Sequence, residues 1–309
     1  MMFESTPSPN YLSTQDDVAP SPSKKDKIVC RQEIVTLKEV ETMVAVITQA
    51  QTKMDFDDYR LPIEVIKQKQ TEYLEKYNIK KELFGDMGLS KEEFSEFYKI
   101  TGIDLDGRLQ HVDGAFNFFE RKISQVVAFA KSIPGFKQLS LNDQANLIKA
   151  SRTESTLLGG FRALLRNFDM ERRVLTTPWG KEIHMDELER IVPIHFILSK
   201  FKYARSVIDL KLTIQEESII RAIVTMFSDR CKLEEPHKVD QIQEKLVACL
   251  QHLLNIRPGG AGSLFYKIFN LITNLRNFNE NETEFTKSLL QEWPMLSTNK
   301  YQLLKEFLS

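Results

Sequence analysis

The sequence predicts an all-α protein whose helices stack in three layers. The chain has only 12 glycines and 11 prolines among 309 residues, fewer than the usual combined share of about 12%. So few turn-forming residues favour long helices. The segment from Leu157 to Leu165 is apolar nearly all round, and a helix that is apolar on every face lies inside a protein. Because such a helix needs helices on both sides, three layers follow.

Residues 1–33 have the composition of a disordered tail or hinge. Prolines alternate with serines, and Lys24, Lys25 and Lys27 follow them, a composition that cannot bury a core. The lysines fit either a nuclear-import patch or a solvated tail. We expect one domain over 34–309.

Apolar residues recur at helical spacing through most of that domain. The predicted helices cover 34–53, 113–131, 142–166, 185–203, 213–228, 238–256, 261–278, 281–291 and 299–308. Residues 55–112 are charged and poorly periodic, so we expect a variable connection there with short helices near 63–77 and 90–98. Residues 174–183 place β-branched residues around a Pro-Trp-Gly turn, which predicts one small β-hairpin.

The composition and the motifs argue against several functional classes. Lys plus Arg number 42 and Asp plus Glu number 43, so the chain is not a general polyanion binder. No apolar run approaches the ~20 residues of a membrane span, and the first residues lack a signal peptide's apolar stretch. Nucleophile elbow, phosphate loop and dinucleotide motifs are absent from the sequence. Three scattered cysteines and five histidines show no metal-ligand spacing, so we predict no metal, no cofactor and a reducing compartment.

A run of residues before the buried-helix signal resembles a known family. PheAlaLysSerIleProGlyPhe at 129–136, then Leu139, Leu141, Asp143, Gln144, Ile148, Lys149 and Glu154, resembles the signature of nuclear hormone receptor ligand-binding domains. Residues 41–60 are similar to the first helix of the vitamin D receptor group. Residues 303–308 have the form of the family's terminal activation helix. The resemblance covers about 34–309 and implies an antiparallel sandwich of about 11–12 helices in a nuclear protein.

Within the family, the resemblance points to the vitamin D, ecdysone-related and nematode dauer-formation receptors, which sense sterol-like acids and alcohols. It implies eight ligand-binding residues: Ala115, Phe118, Phe119, Lys122, Thr153, Thr156, Leu157 and Arg162. A buried lysine needs an anionic partner, so Lys122 would meet either an acidic ligand end or a surface carboxylate. Arg162 would pair with either an internal glutamate or a ligand acid.

The resemblance also implies a groove for an LxxLL coactivator helix. Its residues are Val127, Lys131, Gln144, Ile148, Lys149, Leu303, Leu304 and Glu306. Lys131 would cap the carbonyl end of the bound helix, and Glu306 would cap its N–H end. The apolar stripe of 261–278 is wider than burial in one layer needs. The resemblance makes this the family's dimer-forming helix and implies a dimer with a retinoid X receptor-type partner or with a second copy.

The family's receptors contact DNA through two four-cysteine zinc modules. This chain has none, so we expect DNA contact only through a zinc-finger domain absent from this chain. The favoured function is a ligand-regulated transcription factor's ligand-binding domain, and not an enzyme. Two other classes stay open: a ligand-independent interaction or dimerisation module, and a small-molecule-modifying enzyme or carrier.

Overall fold

The computed structural model describes residues 27–29, 34–58, 61–86, 88–293 and 300–308. The α-helices are α1 (Leu37–Asp58), α2 (Ile63–Phe84), α3 (Lys91–Thr101), α4 (Arg108–Ala130), α5 (Leu141–Arg166), α6 (Met185–Leu188), α7 (Ile194–Asp209), α8 (Ile214–Thr225), α9 (Pro236–Ile256), α10 (Leu264–Glu292) and α11 (Gln302–Leu308). The predicted tail lies outside the described residues apart from 27–29.

Five short strands complete the described fold. They are β1 (Lys27–Val29), β2 (Ile34–Thr36), β3 (Phe168–Asp169), β4 (Val174–Thr176) and β5 (Glu182–His184). β1 pairs with β2, and β3, β4 and β5 form one antiparallel sheet in chain order. β4 and β5 are the predicted hairpin. The prediction of a single strand signal was wrong, since two-residue β3 and the β1–β2 pair are too short to produce a period-2 pattern.

The predicted all-α sandwich is confirmed. α5 lies at its centre and packs against α1, α4, α7, α8 and α10. Its buried residues Leu157, Leu158 and Phe161 belong to the main hydrophobic core. α8 packs against α1, α5 and α9, and α1 also contacts α4 and α9. No helix in the described part of the chain combines the length and apolarity that a membrane crossing requires.

Several helix boundaries differ from the predictions because single breaking residues decide them. α1 continues to Asp58, since residues 54–58 contain neither glycine nor proline. The predicted helix 185–203 is split, and Pro193 stands at the N-cap of α7. Conversely, 261–278 and 281–291 belong to one helix, α10. α2 is longer than predicted, because tertiary packing stabilises a helix whose own periodicity is weak.

A second, smaller core holds the C-terminal end of the described chain. α11 packs against α4 and α10, and its Leu304 lies in a cluster with Phe116 of α4, Trp293 and Phe94 of α3. Tyr301, just before α11, packs its ring edge-on against Phe116 at 5.1 Å between centroids. The charged 55–112 segment therefore contributes, through α3, to the surface on which α11 rests.

Candidate functional site

A cavity of about 600 Å³ lies beside the C-terminal half of α5. Its walls come from α2, α4, α5, the β4–β5 hairpin, α7 and α10. Small-molecule sites in proteins usually have volumes of about 300–1,000 Å³. The cavity extends along α5 from Thr153 to Asn167, and fourteen residues of helix rise about 21 Å. The space therefore suits an elongated molecule.

Helical spacing explains which residues of α5 face the cavity. Thr153, Thr156, Leu157, Gly160 and Leu164 line it, and their spacing of three or four residues follows one face of a helix. A Cβ atom added at Gly160 would meet nothing within 4 Å. The absence of a side chain at Gly160 thus leaves open a space that a larger residue would fill.

The hairpin turn closes the cavity at one end. Trp179 lies directly over Gly114 of α4, where an added Cβ would be 2.6 Å from the indole Nε1. Only glycine lets the indole lie this close to the helix. On the neighbouring wall, the buried Gln70 of α2 donates hydrogen bonds to the Asn167 carbonyl at 2.9 Å and to Thr176 Oγ1 at 3.1 Å. These contacts hold α2 against the sheet.

Three polar atoms that are buried at the cavity lack a hydrogen-bond partner among the described residues. They are Thr153 Oγ1, Asn167 Oδ1 and Trp179 Nε1. Leaving a buried donor or acceptor unsatisfied costs about 1–3 kcal/mol, and most such groups in proteins do have a partner. Thr153 lies at the α10 end of the cavity and the other two lie at the sheet end. The cavity therefore offers unpaired polar atoms at both ends of an apolar space.

The charges on the described cavity wall are mainly positive. Arg121, Lys122, Arg166 and Lys200 face a single carboxylate, Glu282. Lys122 is only 6% exposed, and its ammonium lies 5.3 Å from the Phe118 ring centre.

Lys200 and Glu282 form an ion pair across the cavity wall. The Lys200 Nζ lies 2.5 Å from Glu282 Oε1 and 4.9 Å from the centre of the Phe196 ring. Cation–π contacts of this kind contribute about 0.5–2 kcal/mol. The pair joins α7 to α10 and places one lysine and one carboxylate at the α10 end of the cavity.

Six of the eight predicted ligand-binding residues line the cavity: Phe118, Phe119, Lys122, Thr153, Thr156 and Leu157. Ala115 is half-buried on α4 and is not among the lining residues. The Arg162 side chain is 45% exposed and pairs with the buried Glu217 of α8. Five residues after Leu157, a helical side chain points about 140° away from it. Of the two partners expected for Arg162, the internal glutamate is therefore the one in contact.

Sequence reasoning missed several residues that the structure brings to the same cavity. Asn167, Trp179, Lys200 and Glu282 lie on four different segments. Trp179 could have been proposed from the sequence, since it lies in the turn of the predicted hairpin. Lys200 and Glu282 are each a single charge on an amphipathic helix, and nothing in a single sequence pairs residues 82 positions apart.

The predicted coactivator residues lie at the end of α4, the start of α5 and on α11. Leu304 is buried at 2% exposure while Leu303 is 40% exposed, so only Leu303 faces outward. Lys131 is exposed at the C-terminal end of α4, and Glu306 is exposed on α11.

The remaining four lie on α4 and α5. Val127 is half-buried and touches both hydrophobic cores. Ile148 is buried, and Lys149 is half-buried. The buried Gln144 side chain donates a hydrogen bond to the Leu139 carbonyl at 2.8 Å, which fixes its orientation. Among the described residues, no three His, Cys, Asp or Glu side chains come together in a metal-binding group.

Comparison with known proteins adds two findings. A family model described as the ligand-binding domain of nuclear hormone receptor matches residues 108–289, which include α4, α5, the three-stranded sheet and most of α10. Nuclear receptor subfamily 1 group D member 2 from Rattus norvegicus is 32% identical over 166 residues. That match covers 54% of this chain and 28% of the rat protein, so the chain matches less than a third of its relative's length. α1 to α3 and α11 lie outside the family match.

Proposed function

Since the chain belongs to the nuclear hormone receptor ligand-binding domains, a family of receptors and not of enzymes, we propose that it binds a lipophilic, sterol-like ligand in the cavity beside α5. The observation that carries this proposal is the pairing of a cavity of about 600 Å³ with unpaired polar atoms at both of its ends. A sterol-like molecule has a rigid apolar body and polar groups at its two ends. Its body would fill the space, and its ends would reach Thr153 on one side and Asn167 or Trp179 on the other.

The substitution Gly160→Phe tests the proposal by filling the cavity. The new ring would enter open space, so folding should be retained while the ligand loses its volume. Gly160→Ala is the matched control, because it changes the helix propensity without occupying the cavity. Purified chains are compared by native mass spectrometry for a bound lipid and by thermal unfolding with lipid extracts. A ligand at 100 times its dissociation constant adds about 2.7 kcal/mol to stability.

We expect lipid mass and ligand-induced stabilisation in the parent and in Gly160→Ala, and neither in Gly160→Phe. A parent chain that gains no stability from any lipid would favour the alternative, a ligand-independent interaction or dimerisation module. The same result would leave the fold unaffected.

We also propose that the ligand acts by favouring an α11 position that binds LxxLL coactivator helices, in a nuclear transcription factor. The exposed Lys131 and Glu306 would bind opposite ends of the coactivator helix, whose terminal carbonyl and N–H groups are unpaired. Lys131→Ala or Glu306→Gln should each weaken an LxxLL peptide at least several-fold in fluorescence polarisation, with little direct effect on ligand affinity. Unchanged peptide affinity in both variants would remove these two residues from the proposal.

The first turns of α10 support a dimer surface in the same proposal. Phe265, Tyr266 and Phe269 are exposed, whereas Ile268 and Ile272 on the same helix are buried in the core. Clustered exposed aromatic residues are typical of protein interfaces. The partner would be a retinoid X receptor-type protein or a second copy, and DNA would be contacted through a zinc-finger domain.

A further inference from the structure

The turn between β4 and β5, residues 177–181, is closed by its own hydrogen bonds. The Thr177 backbone N–H and hydroxyl both donate to the Lys181 carbonyl, at 2.7 and 2.8 Å. In return, the Lys181 N–H donates to Thr177 Oγ1 at 3.0 Å. Gly180 has a φ of +81°, which glycine adopts without steric cost. Because these bonds lie within the turn, the turn can move as one unit without losing them.

The cavity approaches the protein surface where this turn meets α4. Pro178 of the turn and Arg121 of α4 both line the cavity and are exposed to solvent. Trp179 joins the turn to the helix: its ring centre lies 6.4 Å from that of Phe118, and its pyrrole edge rests on Gly114. Moving the indole away from α4 would therefore connect the cavity with solvent.

The contact between the turn and α4 leaves two polar atoms unsatisfied. Trp179 Nε1 and His111 Nδ1 are buried and have no hydrogen-bond partner among the described residues, and the two rings lie 6.4 Å apart between centroids. Each unsatisfied group costs about 1–3 kcal/mol. Water would satisfy both atoms if the turn moved away from the helix. Packing of the indole favours the closed position while these two atoms oppose it, so a local opening here needs far less free energy than unfolding of the core.

We propose that residues 177–181 form a gate through which a lipophilic ligand enters and leaves the cavity, with the Trp179 indole on Gly114 as its latch. The inference rests on the proposed function, because it concerns passage into that same cavity. Binding that must wait for an opening step has a reduced association rate constant. A gate changes the association and dissociation rate constants by the same factor, and it therefore leaves the dissociation constant nearly unchanged.

Stopped-flow fluorescence with the lipophilic probe phenylnaphthylamine measures both rate constants without knowledge of the natural ligand. Trp179→Ala removes the latch, so both rate constants should rise about 10-fold. Trp179→Phe keeps a ring on Gly114 but lacks the unsatisfied N–H, so the closed position gains stability and both rate constants should fall several-fold. The probe has no oxygen to accept a hydrogen bond from the indole, so the loss of the N–H acts on the gate alone. Two substitutions at one position should thus change the rates in opposite directions.

Gly114→Ala tests the latch from the side of the helix. The added methyl would lie 2.6 Å from the indole Nε1, so the indole must move away, while alanine favours the helix itself. Gly114→Ala should speed exchange about as much as Trp179→Ala, and the double variant should be no faster than either, because all three remove one contact. Gln110→Ala is the matched control: it places alanine at an exposed position of the same helix, outside the cavity wall, and should leave both rates unchanged.

The position of the indole can also be followed without any probe. The chain has two tryptophans, so in a Trp293→Phe background the fluorescence of tryptophan reports on Trp179 alone. Adding Gly114→Ala to that background should raise the rate constant for quenching by acrylamide several-fold, because the displaced indole is exposed to solvent. Adding Gln110→Ala should not change it. Equal quenching in all three proteins would mean that the indole does not leave the helix, and the latch would be wrong.

The kinetic outcomes separate failure of the gate from failure of the proposed function. A parent chain that does not bind the probe, or binds it equally well after Gly160→Phe, does not use the cavity for lipophilic molecules, and the proposed function fails together with the gate. If Gly160→Phe abolishes binding but Trp179→Ala and Gly114→Ala leave both rates unchanged, the cavity stands and the gate is wrong. A faster dissociation with an unchanged association rate would make Trp179 an ordinary ligand contact and would also overturn the gate.

Discussion

The two sides of α5 differ in how many buried polar groups have a hydrogen-bond or ion-pair partner within the chain. On the side of α8, every residue from Glu216 to Thr225 is buried. The charges there have partners within the chain: Glu217 pairs with Arg162, and Arg221 donates hydrogen bonds to Ser155 at 2.9 Å and to Gln51 at 2.6 Å. On the cavity side, Thr153, Asn167 and Trp179 have buried polar atoms that no described residue satisfies.

This difference indicates that the α8 side of α5 serves stability and the cavity side serves function. The α8 side is packed, and most of its buried polar groups have partners within the chain, although Glu154 Oε2 has none among the described residues. The cavity side leaves both volume and hydrogen-bonding capacity unused, although an unsatisfied buried group lowers stability. The unused capacity is therefore best explained by a partner that comes from outside the chain.

Truncation of a large side chain should distinguish the two sides most strongly. Ile220 of α8 is fully buried, so Ile220→Ala would create a new void and cost about 3–4 kcal/mol of unfolding free energy. Leu157 is also largely buried but borders the existing cavity, so Leu157→Ala only enlarges an open space and should cost about 1–2 kcal/mol. Urea unfolding followed by circular dichroism measures both. Equal losses would show that the space beside Leu157 is closed in solution.

Two buried threonines give a test with a smaller expected effect. The same substitution, threonine to valine, should change the unfolding free energy in opposite directions at the two positions. Thr225 Oγ1 donates a hydrogen bond to the Arg221 carbonyl at 2.9 Å, so Thr225→Val should lower the unfolding free energy by about 1 kcal/mol. Thr153 Oγ1 has no partner among the described residues, so Thr153→Val should raise it by about 1 kcal/mol in ligand-free protein. Destabilisation by Thr153→Val would mean that water or another group already satisfies this hydroxyl.

The same contrast explains how much could be predicted from the sequence. The packed side follows from helical periodicity alone, because the apolar run at Leu157–Leu165 requires helices around it. Helical spacing predicts which residues of α4 and α5 share a face, and the family resemblance assigns Phe119, Lys122 and Thr156 to the ligand cavity. The direction of the Arg162 side chain could not be predicted, because an error of one or two residues in the helical register turns a side chain from the cavity to α8.

Contacts between distant segments could not be predicted from the sequence. The Lys200–Glu282 pair and the Arg152 bond to Phe307 join segments separated by 82 and 155 residues. Individually, Lys200, Glu282 and Arg152 each look like an ordinary surface charge on an amphipathic helix. The boundary at Pro193 was visible in the sequence, and the predicted helix through it ignored the strong tendency of proline to begin a helix rather than continue one.

Acid should weaken the cavity side slightly more than the packed side, through His184 beside the hairpin. Burial lowers the pKa of His184 below its ordinary value and outweighs the opposing charge of Asp186. Its imidazole stacks on the Tyr77 ring of α2 at 4.3 Å between centroids, and its Nδ1 accepts a hydrogen bond from the Asp186 backbone N–H at 3.2 Å. Because the depressed pKa belongs to the folded state, the unfolded chain binds the proton more readily. The contribution to stability is therefore complete above the unfolded pKa of about 6.5 and is lost as the pH falls below it.

Replacing His184 with asparagine removes this titration while keeping an acceptor for the Asp186 N–H, because asparagine is a good N-cap residue. The unfolding free energy, measured between about pH 7 and pH 5, should fall less steeply in His184→Asn than in the parent, by less than about 1 kcal/mol in total. His195→Asn makes the same substitution at an exposed position of α7 and serves as the matched control. Parallel curves for all three proteins would mean that protonation of His184 is not linked to unfolding, and the hairpin would then be no more acid-sensitive than the packed side around α8.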